Sequence, residues 1–269
     1  MNMKLRRSIV LAASAAPIAL FSVVGTTQDQ EGGSRNCSAL PSHAQLRAAL
    51  IEARGQNNGG FDLDMWGAVV NRDGIVCAVA FTGEDRGDQW PGSRVIAAQK
   101  ANTANAFSLP GLALSTANLY AAVQPGGTLY GLQHSNPVST TDAYRESANN
   151  FGQANDPLVG RRVGGVNVFG GGLALYNKNQ QLVGAIGVSG DTSCADHNIA
   201  WRTRNSLRLD FVPGGVSQVG DDNINYQGTV PEPSLANDFS HPVCAIAGED
   251  NVTDISANLP PISTPEDQE

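Results

Sequence analysis

Apolar and polar positions along this chain repeat with two different periods, and the switches between them mark its elements. In "PSHAQLRAALIEAR", Leu46, Leu50 and Ala53 recur at helical spacing behind Pro41, which predicts a first helix. "MWGAVVNRDGIVCAVAFTG" follows, two apolar runs flanking "NRDG". Asn and Gly accept the backbone angles of a tight turn, so this reads as a β-hairpin. "SRVIAAQKANTANAFS" is alanine-rich and predicts a second helix, and "LSTANLYAAVQ" a shorter one. A long loop-like stretch runs from Pro125 to Arg162. "GGVNVFGGGLALYNKNQQLVGAIGVSG" then restores two strands around the polar turn "NKNQ", and "ADHNIAWRTRNSLRL" returns to helix. A hairpin followed by a helix therefore occurs twice, over about residues 65–108 and 173–209. That order predicts an α+β fold, an antiparallel central sheet with helices packed on it, and not a doubly wound one.

The ends read differently. Lys4, Arg6 and Arg7 precede the apolar run "IVLAASAAPIALFSVV", the pattern of a secretory signal peptide over 1–25. The run is short for a bilayer span, so no stable membrane insertion is expected. Residues 26–36 read as a flexible leader, and beyond about residue 215 the chain becomes polar and proline-spotted, as in a disordered tail. Removing residues 1–25 with their three cations takes the formal charge from −8 to about −11. So acidic a surface repels phosphate backbones, and nucleic acid is not an expected partner. Cys37, Cys77, Cys194 and Cys244 form an even set, which suits disulfides in a periplasmic or secreted protein. Cys37 and Cys244 stand near the two edges of the domain beside proline-marked turns, and this suggests a Cys37–Cys244 bridge, with Cys77 free or joined to Cys194.

Candidate chemistry concentrates in "GVSGDTSCADHNIAWRTR", Gly187–Arg204. Ser193 and Asp196 have the spacing of a capping box, which puts Cys194 in the first helical turn and His197 about one turn in. The field at a helix N-terminus disfavours imidazolium, so His197 should be neutral and able to bind a metal. The same field draws a free Cys194 toward thiolate. Against this, one histidine commonly just bonds a carbonyl, and Cys-x-x-His without further ligands is a weak zinc signal. The glycines of "GGVNVFGGGLALY" precede a strand and lack the P-loop pattern. They suit close approach of another backbone or of a flat ligand to the sheet.

Four motifs occur in register: A-x-x-K-A-x-T-A at Ala97–Ala104, "GGVNV" at Gly164–Val168, "VGAIGVSG" at Val183–Gly190, and D-x-x-I-A at Asp196–Ala200. In this order they resemble the GlcG/HbpS-like haem-binding family, related to the C-terminal domain of some cobalamin adenosyltransferases, over about residues 40–212. Asn167 stands where the family has Pro, and His197 where it usually has Glu. The resemblance implies a GlcG/HbpS-like sandwich, placed over 37–215, and a homo-oligomer; composition marks 216–269 as a polar extension and tail. It also implies an exported haem-binding protein, concerned with haem handling or oxidative-stress protection. For haem, His197 is the first candidate axial ligand and His43, at the start of the first helix, the second. Arg202 and Arg94 are candidates for the propionates because guanidinium pairs with carboxylate bidentately. Trp66, Phe169 or Trp201 would supply an apolar wall. The alternatives are a small-molecule enzyme using an Asp191/Cys194/His197 crevice, and an oligomeric module with no ligand.

Overall fold

The computed structural model describes residues 37–228, 238–244 and 251–268. The expected signal peptide and leader lie outside the described residues. Four strands build the central sheet: β1 (Trp66–Asn71), β2 (Val76–Phe81), β3 (Gly172–Tyr176) and β4 (Leu182–Ser189). Their order is β2-β1-β4-β3, and all three pairings are antiparallel. Both expected hairpins are present, joined at the centre by β1 and β4. In the first turn the Asn71 side chain accepts from Asp73 N and Ile75 N, and Gly74 takes φ +74°. In the second, Asn177 accepts in the same way from Asn179 N and Gln181 N. The side chains thus do locally what the turn backbone needs.

Three long helices cover the sheet: α1 (His43–Arg54), α2 (Ser93–Phe107) and α3 (Ser193–Ser206). Alternation along the strands sends Trp66, Ala68, Val70 and Ala185 toward α2, where they pack with Val95, Ala97, Ala98, Ala101 and Ala104. The intervening Val69, Ile186 and Val188 face α1 and α3, against Leu46, Leu50 and Ile199. The alanines of α2 have a reason. A Cβ at Gly187 would fall on the Ala97 carbonyl oxygen, so β4 and α2 approach at backbone distance, and small residues on both make that possible.

The glycine-rich segment before β3 works likewise. Gly171 and Gly172 lie against the backbone of Val188 and Lys100, so it is protein that closes on the sheet here. "GGVNV" is not a strand. Gly164 and Gly165 both have positive φ, which takes the segment out of the ladder, and Asn167 N donates to the Thr103 hydroxyl instead. Only Tyr120–Val123 of the expected short helix is helical, because Ser115 and Asn118 bond each other's backbone and side chains just before it.

The C-terminal extension also departs from expectation. Where the sequence suggests a disordered tail, Val252–Ala257 forms α4 with Val252 buried. Trp201 Nε1 donates to the Pro260 carbonyl, and Ser263 N to Asp210. A short parallel pair, β5 (Asn225–Tyr226) and β6 (Ser240–His241), lies in the same extension. Among the described residues no helix is long and apolar enough to cross a membrane.

Candidate functional site

The start of α3 is fixed by side chains that hold backbone amides. Thr192, in extended conformation, is the N-cap and accepts from Ala195 N. The expected Ser193–Asp196 capping box does not form, because both side chains have other partners. Ser193 Oγ accepts from Gly170 N and bonds His241 Nε2 at 2.8 Å. Asp196 accepts from Gly190 N and Asp191 N and pairs with Lys100 Nζ at 2.6 Å, wholly buried. Lys100 also donates to the Val188 carbonyl, so this lysine ties α2 to the end of β4 and to α3. Burial opposes both charges of this pair: it lowers the Lys100 pKa and pushes the Asp196 carboxyl up to about 6, against their mutual attraction.

The cysteines pair as Cys37–Cys77 and Cys194–Cys244. The expected Cys37–Cys244 bridge is therefore wrong: Cys244 belongs to the extension, which folds back onto α3, while Cys37 lies beside β2. Cys194 is no free thiol, and a crevice nucleophile is lost with it. Asp191 accepts from Phe61 N, Leu63 N and Thr192 N, so its carboxylate organises the loop before β1.

His197 is fully buried. Its Nε2 lies 3.1 Å from Asn223 Oδ1, which also accepts from Ile224 N and Ser256 Oγ. That oxygen can only accept, so the proton is on Nε2 and the Nδ1 lone pair is left without a partner. The imidazole is neutral, as the sequence suggests, chiefly because burial lowers its pKa to about 4. With 0 % of its surface exposed, the ring is sealed within the fold. A cleft of about 510 Å3 lies beyond Asn223, lined by Ser217, Ile224, Tyr226, Asp254 and Ser256 among others.

The other expected site residues are dispersed. Arg94 is buried, paired with Asp156, bonded to the Ala143 carbonyl and stacked over Phe151. Arg202 holds Asn58, Gln56 and the Asn57 carbonyl. Trp66 is a core residue, set edge-on to Phe81. Trp201 is buried beside His197, whereas Phe169 is exposed.

His43 is different. It is the first residue of α1, half-buried, with Nε2 2.8 Å from the Gly152 carbonyl oxygen. A carbonyl accepts only, so Nε2 carries the proton of that bond and Nδ1 is the ring atom left to a ligand. Gly152 N donates to Asp156, the partner of Arg94. The long Pro125–Arg162 segment thus places a backbone oxygen behind His43 through the buried Arg94–Asp156 pair. Arg47, one turn along α1, reaches the Gly83 carbonyl.

A family model described as haem degrading protein HbpS-like matches residues 42–204, well over half of the chain. The chain belongs to the HbpS-like family. The HbpS-like match runs from just before α1 into the last turn of α3 and ends before the extension. Similar solved structures include PduOC in a haem complex, 24% identical, covering 63% of this chain and 96% of that one with a TM-score of 0.44. The Klebsiella pneumoniae protein ORFY is 26% identical, covering 61% and 87% with a TM-score of 0.41. HbpS itself is 17% identical, covering 61% and 86% with a TM-score of 0.38. No curated protein matches the chain. The residue missed in the sequence is His241, which is buried and bonded to Ser193. "SHPVC" holds it three residues before Cys244, and that spacing was its only signal.

Proposed function

We propose that this HbpS-like protein binds haem, with His43 Nδ1 as the axial donor. The observation that carries the reading is the family match over residues 42–204, from α1 into the last turn of α3. The residues fit the group in two respects. The half-buried His43 is held through Nε2 by a backbone carbonyl from behind, the usual support of a metal-binding imidazole. His197 has the free lone pair without the access. Arg47 lies on the same helical face as His43 and is only half-buried, so it suits a propionate better than Arg94, which Asp156 already neutralises.

Bound haem would supply an iron that takes one nitrogen ligand. The chain's own part is to present Nδ1, to hold the ring orientation through Gly152, and to bring a cation to the carboxylates. The small-molecule enzyme alternative has lost its thiol to the Cys194–Cys244 bond. Export to the periplasm or beyond, self-association, and a role in haem handling or oxidative-stress protection belong to the same proposal. Two disulfides favour an oxidising compartment, and the exposed Leu129, Tyr130, Tyr144 and Phe169 favour self-association.

Titrating the purified chain with hemin, followed in the Soret band, tests the reading. Saturation at one haem per chain is expected. A rise that never saturates, equal to that with an acidic protein of similar size, overturns it.

A further inference from the structure

A second donor set lies at the start of α3, separate from His43. Cys194 Sγ, Cys244 Sγ and a ring nitrogen of His241 all lie within 4.8 Å of one another. Among the described residues it is the one group of three or more His, Cys, Asp or Glu side chains placed closely enough to share an ion. Among the described residues the Cys37–Cys77 pair has no such third member. We propose that reduction of the Cys194–Cys244 bond turns this cluster into a binding site for a thiophilic cation of the Zn2+ class, held by Cys194, Cys244 and His241.

Two thiolates and an imidazole form a donor set that selects zinc or copper(I) over hard cations, with a fourth position left open. Tetrahedral bonds of about 2.3 Å put the two sulfurs about 3.8 Å apart. The Cα atoms, 6.0 Å apart in the bridged form, allow this by side-chain rotation, without separating α3 from the extension. His241 is prepared behind the site. Its Nδ1 donates to the Pro242 carbonyl at 2.6 Å, which leaves the lone pair on Nε2, now capped by the Ser193 hydroxyl. The ring also packs on Tyr120. Cys194 and His241 are buried, and Cys194 lies in the first turn of α3, where the helix field favours thiolate.

The redox step balances with a dithiol as reductant. Two electrons break the S–S bond, two thiols form, and the dithiol closes to its own disulfide. The cation then displaces both thiol protons to solvent.

Cobalt(II) added to the full chain reports the site, since thiolate-to-cobalt charge-transfer bands appear only with sulfur ligation. After reduction and removal of the dithiol under argon, one Co2+ per chain should bind with those bands, and Zn2+ should displace it. The Cys37→Ser/Cys77→Ser variant should behave as wild type, and Cys194→Ser should lose the bands. His241→Gln should weaken binding at least about tenfold, since even groups behind a ligand carry that much. Should His241→Gln fail to fold by circular dichroism, a paramagnetically shifted imidazole N–H resonance in the wild-type Co2+ form replaces it, and its absence overturns the assignment. The proposal also fails if the reduced chain binds no Co2+, if the oxidised chain binds it equally, or if Cys194→Ser/Cys244→Ser retains the bands.

Discussion

Acid should unfold this protein partly through two imidazoles buried in the neutral state. Burial holds both His197 and His241 at about 4, against an ordinary 6.5. A histidine whose folded pKa lies below its unfolded value takes up protons first in the unfolded chain. Its contribution is therefore complete above pH 6.5 and is lost as the pH falls toward 4. Between pH 7 and 4.5 each imidazole should remove about 2 kcal/mol of stability, from 1.36 kcal/mol per pKa unit. Asp196 acts in the opposite sense. Its carboxyl, held near 6, protonates first in the folded chain and returns about 2 kcal/mol over the same interval. Replacing His197 by Gln isolates one imidazole, because Asp196, His241 and every exposed carboxylate titrate alike in both proteins. Urea unfolding at pH 7 and 4.5, at equal ionic strength and with disulfides intact, would be followed by the fluorescence of the buried Trp201, whose ring centroid is 6.1 Å from that of His197. The wild type should lose about 2 kcal/mol more than His197→Gln on acidification. Equal losses would show that His197 is not buried as a neutral base, and the reading of the α3–extension contact would fall with it.

Two further expectations follow from packing. Gly187→Ala should lose more than about 3 kcal/mol in chemical denaturation, since its Cβ meets the Ala97 carbonyl and neither backbone can yield; Gly92→Ala, with nothing near its Cβ, should unfold as wild type. Asp156→Asn leaves the Arg94 charge buried without its partner and should lose about 3 kcal/mol or more. The same variant should weaken hemin binding, because Asp156 holds the Gly152 amide behind His43.

The sheet and its helices are legible in the sequence because their causes are local. Period, turn residues such as Asn71 and Gly74, and the small residues of α2 each point to their own element. The α3 N-cap misleads because Ser193 and Asp196 have cap spacing but answer to partners far away, His241 and Lys100. The disulfide pairing is hidden for the same reason: it depends on the extension folding back over α3, and a polar, proline-spotted segment gives no sign of docking. Its burial comes from a few anchors, the Arg204–Asp222 ion pair, the Trp201–Pro260 bond and Val252. His197 looks like a ligand by position. The Asn223 that closes over it lies in the part of the chain whose composition says least. His43 carries only a helix-start signal in the sequence, and its partner, the Gly152 carbonyl, comes from the long loop.

Imidazole rescue tests the haem assignment most directly. The ferric haem complex of His43→Gly should lose the wild-type Soret spectrum and recover it when free imidazole is added, while His197→Gln keeps it throughout. A wild-type spectrum in His43→Gly without added imidazole would contradict the account.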